Sequence, residues 1–470
     1  MNLAEMQPRA LALDPGFSEL KEHVIATTGL AYYLNKDVDL AEKVGKRLVA
    51  LNIPACSTYL TLLRDGHRGE SELDELVRDL TIGETYFFRH REQFDALRQT
   101  VLPDILRRNA SRRQIRIWSA GCASGAEVYS ISILLHREFG DALAGWDVSI
   151  LGTDINRTFL AQAREGRFGD WALRSTDEAT KSSYFERHAG RWRIGDPYRN
   201  GVSFQYHNLV KHPYPSLVHN LAAFDLILCR NVMIYFSRDV IGNCVDRFWN
   251  SLVEGGWLLV GHAEVNQESF RAFRTVTVPG TVLFERAGEA LPAQRVENAT
   301  VALAQAAPWQ PPTLPDLPPL LGRPPPVPEN GESGGMGGHP LTTKIRQLAD
   351  RAEWKAAAQL CLKMIDEDAL NPLGHFYHAL VLEQTGQMRA AESALSRAIY
   401  LDREFVLAHY HRGLLLQRGQ DVAAAARSFR NVMNLLRRMD SDKRFAEADG
   451  IAAAELMELA QMQLDVLEGT

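Results

Sequence analysis

Apolar residues recur at three- and four-residue spacing through DLAEKVGKRLVALNI, STYLTLLRDG and SELDELVRDLTI, which predicts a helical zone over about residues 15–105. From 115 to 286 the pattern changes. The apolar runs IRIWSA, WDVSILGTDI, FDLILCRN, GGWLLVGH and TVLFERA are short, and helical stretches separate them. Strands alternating with helices predict an α/β fold, a mostly parallel sheet covered on both faces. The interval from about 168 to 206 fits that alternation poorly, and its GRWRI and GVSFQYHN pieces read as a small antiparallel β-subdomain.

The segment from Glu289 to Pro340 breaks the chain in two. It carries Pro311-Pro312, Pro318-Pro319 and Pro324-Pro325-Pro326 and closes with GESGGMGGHP. Such a composition cannot bury enough apolar surface to order itself and reads as a semi-extended tether. Beyond it the chain is helical and self-similar. Thr385-Gly386-Gln387-Met388-Arg389-Ala390-Ala391 recurs loosely as Arg418-Gly419-Gln420-Asp421-Val422-Ala423-Ala424, 33 positions on, and Tyr377 pairs with Tyr410 at the same interval. A period of about 34 residues with a glycine at the turn resembles tetratricopeptide (TPR) repeats. About two and a half repeats are visible, with a last helix from Phe445 to Leu467 as a cap; an irregular helical bundle is the alternative. Either form suits binding of a further protein partner. The expected units are thus 1–105, 106–287, a linker over 288–340, and 341–470.

Composition narrows the function classes. Net charge is −6 with no strongly basic unit, so nucleic acid is not an expected partner. No apolar h-region opens the chain and no run approaches the roughly 18 apolar residues of a membrane span, so no membrane insertion is expected. The five cysteines (Cys56, Cys122, Cys229, Cys244, Cys361) are scattered and form no CxxC, which points to a reducing cytoplasm without a structural zinc. No clustered His/Cys/Asp set suggests any other metal.

Candidate chemistry concentrates in Ile115–Ser130, IRIWSAGCASGAEVYS. A strand-like run stops at Gly121-Cys122-Ala123-Ser124-Gly125, and helix-compatible residues follow. Strand, small-residue turn, helix is the order that lets a backbone approach a cofactor at the carboxyl end of a parallel strand. A second apolar run ends in Asp154, placed to hold ribose hydroxyls. Gly121 and Asp154 lie 33 positions apart, longer than the nicotinamide pattern requires. The LxxGGxL pattern at Leu252–Leu258, read as a helix end before a further strand, is common in S-adenosylmethionine-dependent methyltransferases.

GETYFFR (Gly83–Arg89), SAGCASGAEVYS, LGTDI, HNL (His207–Leu209) and LCRNVMIYF follow one another in an order that resembles the chemotaxis receptor glutamate methyltransferases, the CheR family, over about residues 15–286. The resemblance implies a class I methyltransferase domain with an inserted β-subdomain behind a helical N-terminal domain. It implies S-adenosylmethionine as methyl donor, S-adenosylhomocysteine as product, and glutamate side chains on the cytoplasmic methylation helices of a chemoreceptor as acceptor. Carried over by position, Thr85 and Arg89 meet the carboxylate end of the methionine moiety and Glu127 accepts from its ammonium. Asp154 holds the ribose, and Asn208, Leu209, Arg230 and Asn231 line the adenine and the reacting end. Gly121 and Gly125 keep side chains out of the turn. Arg89, Arg230 and Tyr235 are the candidate catalytic residues, the last two by orienting the incoming carboxylate.

Methyl transfer to an ionised carboxylate needs little acid–base help, so alignment and water exclusion are expected to dominate. Lys43, Lys46 and Arg47, with Arg64, offer a basic face that the resemblance assigns to docking acidic receptor helices. The loop near His188-Ala189-Gly190-Arg191 is short and lacks the longer glycine-containing loop of the family members that capture a receptor's C-terminal peptide, so the resemblance implies that no such tether is needed. Two departures stand out. Ala126-Glu127-Val128 replaces the family's two acids and proline, and Gly83 stands where many members carry asparagine or serine. The altered turn leaves open a cofactor-binding scaffold that signals through its repeats, or a methyltransferase for another substrate.

Overall fold

Helices Phe17–Thr28, Asp37–Leu51, Cys56–Leu63 and Gly66–Leu80 each bury one apolar stripe in a shared N-terminal core. In Asp37–Leu51 the stripe is Leu40, Ala41, Val44 and Leu48; Asp37 and Asp39 lie in the first turn, where they complement the helix dipole, and Asn52 ends the helix in a left-handed cap. The chain is a computed structural model that describes residues 7–287 and 340–468, apart from 189, 267, 352 and 449. The expected tether therefore lies outside the described residues except for Pro340, which opens a helix.

After an extended stretch, a helical run from Arg91 to Arg108 leaves the N-terminal core. Its Phe94, Leu97, Val101 and Ile105 pack into the core of the α/β unit instead. The strands of that unit are β1 (Gln114–Ala120), β2 (Asp147–Asp154), β3 (Arg167–Phe168), β4 (Phe185–His188), β5 (Arg191–Ile194), β6 (Val202–Tyr206), β7 (Phe224–Cys229), β8 (Leu252–Val260), β9 (Arg274–Val278) and β10 (Thr281–Glu285). Seven form one sheet in the order β6-β2-β1-β7-β8-β10-β9, parallel from β6 to β8 and antiparallel through β10 and β9. Every residue of β1 is buried, as a central strand covered on both faces requires. The chain runs outward from β1 in one direction through β2 and in the other through β7, so a crevice opens at the carboxyl ends of these strands.

Three local expectations are corrected. The GVSFQYHN piece is not part of the antiparallel insertion: β6 pairs parallel with β2, and Phe204 lies over Gly152 and Gly125, while only β3, β5 and β4 form the small separate sheet. Leu252–Val260 is not a helix end before a strand but strand throughout, with a bulge between the pairings of Phe224 and Leu226 that Gly255 accommodates at φ +72°. The last helix begins at Ala453, because Arg444–Phe445 and Ile451–Ala452 pair as a short hairpin before it.

The C-terminal helices stack in antiparallel TPR pairs, Pro372–Gln384 with Met388–Leu401 and Val406–Arg418 with Val422–Leu436. Second helices start at Trp354, Met388 and Val422, an interval of 34. Gly386 at φ +78° therefore corresponds to Gln420 at φ +62°, not to Gly419, and the 33-residue alignment is off by one at the turn. This unit docks on the α/β unit. Leu217 and Val218 join the repeat core, the Leu217 N–H donates to Asp350 Oδ1 at 3.3 Å, and a His219 ring nitrogen meets the Ala448 carbonyl at 3.1 Å. Arg157 bridges all three units, pairing with Asp74 at 2.6 Å and Glu458 at 2.9 Å. Among the described residues no helix is long and apolar enough to cross a membrane.

Candidate active site

The turn after β1 is held from below. The N–H groups of Gly121 and Cys122 donate to the Thr153 carbonyl at 2.7 and 2.9 Å, and that of Ala123 donates to Asp154 Oδ2 at 2.9 Å. Gly121 takes φ +79°, and a Cβ there would lie 2.3 Å from Val232. Gly125, at φ +84°, has Ala163 and Phe204 where a Cβ would stand; its constraint is helix–sheet packing, and it does not line the cavity above.

That cavity collects Thr85, Arg89, Gly121, Glu127, Asp154, Asn208, Leu209, Arg230, Asn231 and Tyr235 in one space. Thr28, Leu30, Tyr32 and Tyr33 of the N-terminal unit supply part of its wall. Asp154 Oδ1 also accepts from the Asn156 N–H at 2.8 Å, and burial pushes its carboxyl up to about 6 despite these donors. On another wall, Glu127 Oε1 accepts from Ser119 Oγ at 2.6 Å and Oε2 from Arg230 Nη1 at 2.9 Å. Arg230 Nη2 donates to the Arg89 carbonyl. With only 3% of its side chain exposed, Arg230 is turned toward Glu127 and the Arg89 backbone. This changes the reading of Arg230 as a residue that meets the incoming carboxylate: it is placed to position Glu127 and Arg89.

Arg89 sits between two non-glycine residues in the left-handed region, Phe88 at φ +54° and His90 at φ +63°, and its Nη1 donates to the Glu84 carbonyl at 2.8 Å. A backbone held this way costs of order 1–3 kcal/mol per residue and persists only where the surroundings fix it. Tyr235 packs beside the N-terminal core and edge-on to Tyr32, with ring centroids 5.9 Å apart. Burial raises its hydroxyl pKa, against the nearby Arg89 charge.

Two other assignments shift. The side chain of Asn208 is consumed internally: Nδ2 donates to the Thr27 carbonyl at 2.8 Å, tying the N-terminal unit to the sheet, and Oδ1 accepts from Val210 and Lys211. Asn208 borders the cavity as a tie between units. Of the docking cations, Arg47 is only 12% exposed, its guanidinium making paired bonds to Glu72 at 2.8 and 2.7 Å under the Tyr59 hydroxyl. Arg47 therefore belongs to a half-buried ion pair and is withdrawn from the basic face. Lys46 pairs with Glu42 at 3.0 Å, Arg64 with Glu19 at 2.9 Å, and Lys43 is half-buried.

Sequence reasoning missed the clamp that shapes the reacting end. Glu264, 7% exposed, accepts the N–H groups of Asn231 (2.8 Å), Val232 (2.8 Å), Met233 (2.7 Å) and Gly261 (2.6 Å). Burial raises its pKa while these donors oppose the rise. The clamp holds Asn231 at φ +60°. The GHAE run directly after β8 was the available signal. Phe159 was missed too. Its ring stands 2.3 Å from where a Cβ on Gly83 would be, which gives the glycine in GETYFFR a steric reason. Arg174, behind the cavity wall, stacks on the lining Tyr86 and on Trp171, at 3.8 and 4.3 Å from the ring centroids.

Asn231 Oδ1, Arg230 Nε and His207 Nε2 all belong to cavity-lining residues and are buried without a hydrogen-bond partner. Polar side chains without partners around one space, together with the buried Asp154 and the half-buried Glu127, fit a polar ligand with donors on more than one side. The CheR methyltransferase SAM-binding domain matches residues 83–282. Chemotaxis protein methyltransferase 2 of Vibrio cholerae is 33% identical over 252 residues, covering 53% of this chain and 85% of that protein.

The chain belongs to the CheR methyltransferase family. It is an S-adenosylmethionine-dependent methyltransferase, as the family is, and its C-terminal helices are an addition to the CheR domain. Chemotaxis protein methyltransferase 1 of Pseudomonas aeruginosa is 30% identical over 54% of this chain and 91% of that protein. A longer match, 25% identical over 76% of this chain and 84% of its counterpart, is to the probable biofilm formation methyltransferase WspC of the same organism. The first TPR domain of human RPAP3 is 20% identical to the chain over 28% of this chain and 94% of that one, with a TM-score of 0.22.

Proposed function

We propose that this CheR-family enzyme methylates glutamate side-chain carboxylates on a receptor-like signalling protein, forming γ-glutamyl methyl esters. The observation that carries the reading is the placement of the buried Asp154 and half-buried Glu127 carboxylates in one cavity that Arg89 and Tyr235 also line. The methyl donor, when bound, supplies an electrophilic methyl group on a sulfonium. The protein's own contribution is then binding and orientation. Asp154 takes ribose hydroxyls as an acceptor, Glu127 takes an ammonium, and Arg89 with Thr85 takes the methionine carboxylate.

The acceptor carboxylate is already ionised near neutral pH, so no general base is required of the site. Tyr235 offers a hydroxyl to orient the incoming carboxylate, and the wall from the N-terminal unit keeps water from the reacting end. Lys43 and Lys46 remain as cations for long-range attraction of acidic receptor helices, acting on association more than on the chemical step. The repeats, free of the cavity, suit a second protein contact in the reducing cytoplasm.

The test is transfer of labelled methyl from S-adenosylmethionine to cytoplasmic fragments of candidate receptors, with the modified peptides located by mass spectrometry. Label on glutamates, lost in Asp154→Ala, supports the proposal. Label on another residue type overturns the substrate assignment.

A further inference from the structure

No cluster of metal-ligating residues is visible along the sequence, yet the fold assembles one from two segments 170 positions apart. His90 and Glu92 follow Arg89; His262 follows β8 and precedes Glu264. One ligand atom from each of the three lies within 4.8 Å of the others. Glu92 Oε1 is 3.7 Å from His90 Nδ1 and 3.4 Å from His262 Nε2. Around a tetrahedral zinc with bonds of about 2.0–2.1 Å, neighbouring ligand atoms are about 3.3–3.4 Å apart. The two rings stand edge to face, with centroids 4.8 Å apart at 73°, so they do not stack across the space between them.

We propose that His90, Glu92 and His262 bind a divalent transition-metal ion of the zinc class, with water completing the coordination. Two imidazoles and one carboxylate are a borderline donor set suited to zinc, cobalt or nickel and poorly suited to magnesium or calcium. All three side chains are partly exposed, at 29%, 38% and 37%, which leaves an entry path and room for the water. His90 has a left-handed backbone at φ +63°, and its Nδ1 stands 3.7 Å from the carboxylate of Glu92 two residues on. His262 Nε2 now faces the Gly280 carbonyl at 3.1 Å, so ligation exchanges that contact for the metal. The nearby guanidinium of Arg230 already faces Glu127.

The site's position gives it a role. A bound ion cross-links the segment next to Arg89 to the loop that carries Glu264, and Glu264 in turn holds Asn231. Two walls of the methyl-donor cavity are thereby braced from outside, with no metal at the reacting atoms.

The experiment uses the full chain, stripped of metal by dialysis against chelator. Zinc is titrated in competition with a chromophoric chelator, and cobalt is followed by its visible absorption. All five cysteines are buried, so thiols do not compete in the folded protein. The expected result is one equivalent bound, visible bands typical of low-coordinate cobalt, and affinity reduced at least about tenfold in both Glu92→Gln and His262→Ala. His375→Ala, a histidine variant in the repeats, retains wild-type binding, and circular dichroism establishes that each variant is folded. Failure to bind one equivalent, or binding equal to wild type in both folded site variants, overturns the proposal.

Discussion

Arg230 Nη1 and Glu127 Oε2 meet at 2.9 Å, and the same guanidinium holds the Arg89 carbonyl. One buried cation thus sets the position of two groups assigned to the methyl donor. Arg230→Met leaves Glu127 without its ionic partner. Losing a charge-assisted hydrogen bond of about 1.5–3 kcal/mol predicts a 10- to 100-fold rise in KM for S-adenosylmethionine with a smaller fall in kcat. Steady-state kinetics decides this: a fall in kcat at unchanged KM contradicts the positioning role and returns Arg230 to contact with the acceptor carboxylate.

Glu264 gathers N–H groups that have no other acceptor in the loop Asn231–Met233. Glu264→Ala is expected to cost about 3 kcal/mol or more, because buried donors lose a charged partner together. Glu264→Gln keeps one acceptor oxygen and costs less. Urea midpoints at constant m-value give the ranking, and equal stability of the two variants is the contrary result.

Asp154 carries the pH dependence. Its carboxyl is pushed up to about 6 by burial, so the ionised acceptor is lost as pH falls through that value. Methyl-donor affinity should therefore weaken from pH 7 to pH 5, measured by calorimetry, and Asp154→Asn should be weak but nearly flat. For stability of the ligand-free protein the sign is opposite. The raised pKa contributes fully below the unfolded value near 3.8, and that contribution disappears as pH rises through about 6.

Leu217 and Val218 leave the α/β unit to complete the repeat core, at 3% and 5% exposure. Burying such side chains contributes roughly 1.5–3 kcal/mol each. The double variant Leu217→Asp/Val218→Asp should undock the C-terminal unit, raising the radius of gyration in X-ray scattering. Neither residue lines the methyl-donor cavity, so donor affinity should hold. Unchanged scattering contradicts the docking role.

What was legible in the sequence was contiguous. The GCASG turn and the acid ending β2 declare themselves because strand, turn and cap are neighbours in the chain. Relations between distant segments were not legible. Arg47 looks like a surface cation until the fold brings Glu72 beneath it, and Asn208 looks like a ligand contact until the fold brings the Thr27 carbonyl to its side chain. The Glu264 clamp and the His90–His262 pairing have the same origin, since each joins groups more than 30 positions apart. The misassigned β6 shows a second limit: GVSFQYHN alternates like an antiparallel strand, yet burial of Phe204 against β2 decides its partner.

The most direct measurement is the chemical lability of the methyl product. Receptor fragments labelled by the full chain are treated with mild base, and volatile radioactivity is collected. Release of the label as methanol, absent with Asp154→Ala, is the predicted result. Label that transfers but survives base contradicts the carboxylate assignment.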